Sequence, residues 1–347
     1  MRQMTARRLR LYRRVVLIGT LTGIAYGVLI GLVFNLPVFI HGLVGAIDAT
    51  LIAASVSATE IFVLPSRWGR PLQRAPFLVM FGVKWLVYAA IITTVVVGGP
   101  GAHLAGMPTS ATPLQNPLVR LGLLFSAVAT FAFLFVFELQ QIVGGRNLRN
   151  VVLGRYHRPR VEERFFLFVD IVGSTSLAER LGPISVHRFL GGVFRVASEP
   201  ISDHGGEIYQ YVGDEMVVTW PAAEAREEAR PIACFFAIAT ALEEASADFV
   251  REFGVAPRLR AALHAGPVIA GEIGETKRDI VFHGDVMNTA SRLEQATRDL
   301  DRWFLASADA LSRLRQTERY TLEPLGPQTL RGRAAPVDVY AVDTKRP

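Results

Sequence analysis

Asp170 ends the apolar run Phe166-Leu167-Phe168-Val169 and leads into Ile171-Val172-Gly173-Ser174-Thr175; downstream, Tyr211-Val212-Gly213-Asp214-Glu215 repeats the pattern. Each segment reads as a strand that delivers one carboxylate to a glycine-containing turn. Turn chemistry alone accounts for a single strand-end aspartate. Two on neighbouring strands can hold a pair of divalent cations against a nucleoside triphosphate, which points to phosphoryl or nucleotidyl chemistry. The run Gly173-Ser174-Thr175 into Ser176-Leu177-Ala178-Glu179 has capping-box spacing, so a helix is expected to open there with free backbone N–H groups that cradle phosphates. A third element, Gly284 to Glu294, reads as a helix with Asn288 and Arg292 four residues apart on one face. An amide beside a guanidinium can orient a ribose and neutralise charge developing on a phosphate. On its own, that face reads first as a solvated polar surface.

In combination these segments resemble the class III adenylate/guanylate cyclase catalytic domain from about Glu163 to the C-terminus. The resemblance rests on the Asp170 strand-turn, His204-Gly205-Gly206-Glu207 leading into Gly213-Asp214, an expected hairpin around His264-Ala265-Gly266-Pro267-Val268, and the Asn288/Arg292 helix. It implies an α+β ferredoxin-like (βαββαβ) core that works as a head-to-tail homodimer. By that resemblance Asp170 and Asp214, with the Ile171 carbonyl, bind two Mg2+ or Mn2+ ions, while Asn288 and Arg292 of the other protomer act on ribose and α-phosphate. The implied reaction is attack of the ribose 3′-oxygen on the α-phosphorus with loss of pyrophosphate. Gly173, Ser174 and Thr175 would meet the phosphates, and Arg333, in Leu330-Arg331-Gly332-Arg333, falls where the family carries a basic residue for the β/γ-phosphates.

The base pocket departs from the family pattern. Adenylate-type members place Lys four residues before the second metal Asp and Asp seven before the Asn; guanylate-type members place Glu and Cys there. This chain has Gln210 and Val281. A Gln amide both donates and accepts, and Val offers no hydrogen bond, so side chains alone discriminate poorly between purines. Asp279 and His283 are alternative polar contacts. ATP is ranked first as substrate and GTP second. Two other readings are a degenerate, nucleotide-binding receptor, against which the four intact site residues count, and a diguanylate cyclase, which requires Gly at Val212 and Phe at Met216 and does not predict the Asn288/Arg292 helix.

The N-terminal part of the chain is different material. Half of the 347 residues are hydrophobic and mean hydropathy is positive, with the apolar excess before about Val143. Four runs, about Val15 to Phe34, Val38 to Leu64, Phe77 to Val97 and Leu118 to Phe137, reach the roughly 20 residues needed to cross a bilayer. The expected organisation is a four-span α-helical transmembrane bundle (1–143), a basic juxtamembrane linker (144–162) and the cyclase domain (163–347). Arg2, Arg7, Arg8, Arg10, Arg13 and Arg14 precede the first run, Arg67, Arg70 and Arg74 lie between the second and third, and Arg146, Arg149 and Arg155 follow the fourth. Both termini are therefore expected in the cytoplasm of a plasma-membrane protein. Length and the following spans argue against a cleaved signal peptide. The net charge of +6 is explained by topology and anionic lipid, without a nucleic-acid partner.

Within the first run Gly19, Gly23, Gly27 and Gly31 leave one flat face, suited equally to packing inside the bundle or to a dimer contact. Asp48 is expected to be buried; Glu60, Lys84 and Glu138 are read as snorkelling to the cytoplasmic interface, with Trp68 and Trp85 as anchors. His41 and His103 on the outer side are weak evidence for haem or a metal. The Gly144-Gly145, Gly154 and Pro159 breaks argue against one rigid helix through the linker, and a small rotation there would align or open a dimeric site. Cys234, the single cysteine, excludes an internal disulfide and reads as a core residue. Helices are expected near Ser176 to Ser202 and Ala222 to Phe253. Strands are expected near Glu207 to Tyr211, Met216 to Trp220, Leu259 to His264, Val268 to Glu272 and Ile280 to Phe282, with a closing α/β segment to Val342.

Overall fold

The computed structural model describes residues 2–64, 66, 69–73, 75–98, 117–143, 149–151, 153–276, 278–331, 333 and 335–345. Arg67, Trp68, Arg74, His103, Arg146 and Gly144-Gly145 lie outside them. The chain forms two compact units, Met1–Val143 and Gly144–Pro347.

The first unit is helical: α1 (Arg2–Val33), α2 (Val38–Ala58, extended by a π-turn Thr59–Val63), α3 (Phe77–Gly98) and α4 (Pro117–Val143). Among the described residues three helical stretches are long and apolar enough to cross a membrane, Leu9–Val33, Val38–Val63 and Phe77–Gly98. In α4 the described apolar stretch is the shorter Thr130–Leu139. Because Gly19, Gly23, Gly27 and Gly31 lack a Cβ, α1 lies directly on α2. A Cβ on Gly31 would sit 2.9 Å from Val38 Cα and one on Gly19 2.6 Å from Ala53 Cβ, and Gly23 and Gly27 meet the backbone at Gly45 and His41 even more closely. Thr20 and Thr50 hydroxyls join across the same seam at 2.7 Å. The glycine face is thus used inside the bundle.

The expectation that Glu60, Lys84 and Glu138 snorkel is not met. Lys84 Nζ lies 2.6 Å from Glu138 Oε1 and 3.1 Å from Glu60 Oε1, and Tyr88 donates to Glu60 at 2.7 Å. The reason is geometric: the π-turn in α2, Lys84 in α3 and Glu138 in α4 face inward, so pairing replaces exposure as the way to offset desolvation. Trp85 donates its indole N–H to the Ala127 carbonyl at 3.2 Å, and Asp48 is half-buried.

The second unit is built on one eight-stranded sheet. In chain order the longer elements are β1 (Arg160–Ile171), α5 (Ser174–Leu181), α6 (Pro183–Asp203), β2 (Glu207–Val212), β3 (Glu215–Pro221), α7 (Arg230–Phe253), β4 (Leu259–Ile273), β5 (Asp279–His283), α8 (Asp285–Asp299), β6 (Phe304–Ser307), β7 (Tyr320–Gln328) and β8 (Val337–Thr344), with short helical turns such as Ala222–Ala225 and Ala308–Arg313 between them. The strand order is β2-β3-β1-β4-β6-β8-β7, with β5 paired to β4, and only β4 and β6 run parallel. β1 is continuously apolar from Phe165 to Val169 because both of its faces are covered there. Phe165, Leu167, Val169 and Ile171 join the core under α6 and α7; Phe166 and Phe168 join a second cluster with Phe282 and with Val286 and Ala290 of α8. Cys234 is fully buried in the first core.

Three expectations are corrected. The helix expected over Ala222 to Phe253 is interrupted at Glu228 (φ 58°) and Ala229 (φ 45°), so that α7 begins only at Arg230, before Pro231. The helix expected over Ser176 to Ser202 breaks at Gly182 (φ 76°) before Pro183, giving α5 and α6. The hairpin expected around Gly266-Pro267 is instead the middle of one strand, β4, which pairs with β1 across its length. Gly266 is there because a Cβ would lie 2.8 Å from Val286 of α8; the glycine marks close helix–sheet packing, not a turn.

Candidate active site

Alternation along β1 places Asp170 on the same face as Phe166 and Phe168, the face covered by α8. The carboxylate sits at the strand end, 4% exposed, opposite Glu215 of β3 and Arg260 of β4. Asp214 comes to it on the two-residue turn between β2 and β3, where Gly213 takes φ 64°, a conformation that favours glycine. The two aspartates are brought together. Burial raises the Asp170 pKa first, and the neighbouring Asp214 carboxylate raises it further, opposed by Arg298.

Ser174 donates its hydroxyl to Asp214. The capping box does not form: Gly173, in the left-handed conformation, caps α5, no side chain bonds the helix N-terminus, and Ser176 donates to the Gly173 carbonyl. Thr175 is exposed in the first turn, and Ile171 is buried at the end of β1.

Helix α8 buries Val286, Thr289, Ala290, Leu293, Glu294 and Thr297, a repeat of three and four residues that fits one helical face against the sheet. Asn288 lies outside that stripe and is exposed, and Arg292 is half-buried. Arg333 donates to Thr289 at 2.8 Å and lies 3.5 Å from Asp285, so it is tied to the first turns of α8. Gln210 is exposed on β2; Val281 is half-buried on β5 opposite Gly271. Their neighbours Tyr209 and Phe282 touch, ring centroids 5.0 Å apart.

Three residues of the site went unassigned in the sequence. Arg298 Nη2 donates to Asp170 Oδ2 at 2.8 Å. Glu215 and Glu294 lie beside the aspartates, and burial together with the surrounding carboxylates pushes both up to about 7. Glu294 and Arg298 read as an ordinary i, i+4 surface pair; only the crossing of α8 over the end of β1 brings them to Asp170.

The site has the chemistry of a hard-cation centre. Its donors are oxygens, carboxylates outnumber the cations that face them, and Glu294 Oε1 is buried with no hydrogen-bond partner. Among the described residues no group of three or more His, Cys, Asp or Glu is arranged to hold a metal alone. As a carboxylate pair, Asp170 and Asp214 would fit Mg2+ or Mn2+ only with substrate oxygens and water completing the coordination.

Residues 157–344 match the family model described as the adenylate and guanylate cyclase catalytic domain. Adenylate cyclase 2 of Rhizobium meliloti (strain 1021) is 35% identical over 87% of this chain and 83% of its own length. Adenylate cyclase 1 of the same organism is 30% identical over 51% of this chain but only 27% of its own. A bacterial light-regulated adenylyl cyclase of known structure shares the fold at TM-score 0.52 and 20% identity, covering 64% of this chain and 66% of that one. The match over more than half of the chain, with a relative alike over nearly its whole length, means that this protein belongs to the adenylate and guanylate cyclase family.

Proposed function

We propose that the protein is a membrane-anchored adenylate cyclase that converts ATP to 3′,5′-cyclic AMP and pyrophosphate at sites shared between two copies of the chain. The observation that carries this reading is the division of labour along α8. Its Arg298 end touches Asp170 of its own chain, whereas Asn288 lies ten residues earlier, ~15 Å along the helix axis, outside the stripe buried against its own sheet. A second copy placed head to tail would bring Asn288 and Arg292 to the carboxylates that this copy offers. The strand order β2-β3-β1-β4, antiparallel with helices after β1 and β3, supports reading the core as ferredoxin-like.

Two Mg2+ or Mn2+ ions, held by Asp170, Asp214 and the Ile171 carbonyl, would favour the ionised ribose 3′-oxygen and steady the triphosphate. Ser174 holds Asp214 in place. The Asn288 amide would orient the ribose, and the Arg292 guanidinium would offset charge that grows on the α-phosphate in the transition state. Gly173 to Thr175 and Arg333 would face the remaining phosphates. Catalysis is then positioning and charge stabilisation.

ATP as substrate is supported by the likeness to an adenylate cyclase over 87% of this chain. GTP is the second reading, favoured by the absence of an adenine-selective pair at Gln210 and Val281. The test is product identification by mass after incubating the purified full-length protein with Mg2+ or Mn2+ and each nucleotide. Cyclic AMP as the main product supports the proposal; a clear preference for GTP replaces ATP with GTP; no product from either overturns it.

The membrane reading adds α4 as a fourth span and places both termini in the cytoplasm, where nucleotides are. The boundaries 1–143, 144–162 and 163–347 follow from it. Tyr156, 2% exposed in the cluster that holds Phe282 and α8, gives the linker a physical hold on the elements that carry Val281 and Asn288. Regulation by the bundle would act through that hold.

A further inference from the structure

Arg298 is more than half exposed, yet its guanidinium lies on a carboxylate that is almost wholly buried. One helical turn before it on α8, Glu294 is 3% exposed, and its Oε1 has no hydrogen-bond partner; it lies 4.0 Å from Arg298 Nη2, too far for a hydrogen bond. The guanidinium therefore has two seats within reach of one side-chain movement, and it bonds only the one at Asp170. A buried carboxylate oxygen left without a donor is costly, so the second seat is a strong acceptor held open.

We propose that Arg298 is a positioning residue that competes with the divalent cation for Asp170 and, when the cation takes that carboxylate, transfers to Glu294. This rests on the reading of Asp170 as a metal ligand. Asp170 Oδ2 cannot face a guanidinium and a cation equally well, because the two positive charges repel at short range. Glu294 lowers the cost of release by receiving the guanidinium in a bond it otherwise lacks. Arg298 is exposed enough to move without being drawn out of an apolar pocket, and the i, i+4 spacing puts both partners on one helix face. The exchange keeps the charge near the site nearly balanced whichever cation sits on Asp170. It also links cation occupancy to α8, whose other end carries Asn288 and Arg292.

The test is Mn2+ binding to the full-length protein in detergent, followed by the electron-paramagnetic-resonance signal of free Mn2+ with no nucleotide present. R298Q is expected to tighten binding about fivefold and E294Q to weaken it by a similar factor, both within the ordinary range of coupling between two sites. In the double variant R298Q/E294Q the affinity should equal that of R298Q, because without a guanidinium to receive, Glu294 has no part in the exchange. Unchanged or weaker binding in R298Q overturns the proposal. So does an E294Q effect that persists in the R298Q background, which would make Glu294 a plain charge near the cation. D170N separates the two levels: if Mn2+ affinity survives in D170N, the assignment of Asp170 as a ligand fails first. Thermal unfolding of each variant checks that the fold is retained.

Discussion

Lys84 Nζ and Glu138 Oε1 are 2.6 Å apart, and both residues are buried, 5% and 2% exposed, between α3 and α4. Glu60 and Tyr88 complete a four-residue polar cluster within the helical bundle. A lone charge at such a position is far more costly than the pair.

K84M leaves two carboxylates facing each other and should destabilise the helical unit by about 3–5 kcal/mol. The double variant K84M/E138Q removes one of them and should lose less than the two single changes added together. Thermal unfolding of the full-length protein in detergent measures both. Strict additivity would show that Lys84 and Glu138 do not depend on each other.

Ser174 holds Asp214, the second carboxylate of the proposed metal site, through its hydroxyl. A hydrogen bond to a charged group contributes about 1.5–3 kcal/mol, so S174A should raise the concentration of Mg2+ needed for half-maximal activity about tenfold while leaving the maximal rate less affected. A divalent-cation titration of turnover checks this. An unchanged midpoint would mean that Asp214 is held by the β2–β3 turn alone.

What could be read in advance follows from how local each signal is. Asp170 and Asp214 are each set by a short strand and the turn beside it, and Asn288 and Arg292 by spacing on one helix, so the meeting of the two aspartates and the helix that carries the amide and the guanidinium were legible in the sequence. Arg298 reaches Asp170 across 128 residues of chain, and nothing in its neighbours distinguishes it from a solvated arginine. Gly266-Pro267 misled for the opposite reason. Its local turn signal is strong, but long pairing of β4 with β1 and the approach of Val286 overrode it. The glycines of α1 showed that a close neighbour was needed but not which; α2, joined by a short turn, supplies it. Lys84 reads as an interfacial cation until three helices are packed together.

His264 is 4% exposed, with Nδ1 2.7 Å from the Ser307 hydroxyl, and burial lowers its pKa from 6.5 to about 4. The folded chain holds the neutral imidazole, so stability from this group is complete above about pH 6.5 and is lost as the pH falls toward 4. The full effect is about 3 kcal/mol, of which about 2 kcal/mol is gone by pH 5. Wild type should therefore lose stability relative to H264Q over that window, and taking the difference between the two cancels the opposite contribution of Glu215 and Glu294. Melting temperatures of both proteins at pH 7.5 and pH 5 test it; a constant difference refutes the assignment.

Val281, on β5, faces Gly271 of β4, and Gln210 is exposed on β2; neither side chain can reject a purine by leaving a buried polar group unpaired. The double variant Q210K/V281D installs the adenylate-type pair. It should raise the ratio of kcat/KM for ATP over GTP by about tenfold or more, equivalent to one good polar contact. Side-by-side turnover of both nucleotides measures the ratio. No change would place the base away from β2 and β5.

A shared site makes a prediction that a self-contained one does not. D170A and R292A should each lower turnover by at least about 10²-fold, since on the proposed mechanism one removes a metal ligand and the other a transition-state donor. In a heterodimer of the two variants, one site carries both defects and the other carries neither. Random pairing of equal amounts makes half of the dimers mixed, so about a quarter of all sites are intact and activity should return to about a quarter of wild type. Co-expression of differently tagged full-length D170A and R292A, followed by tandem purification of mixed dimers, should raise this to about half. Recovery on mixing two inactive chains requires Asp170 and Arg292 to act from different copies; if the mixed dimer is as inactive as its parents, α8 serves its own sheet and the site lies within one chain.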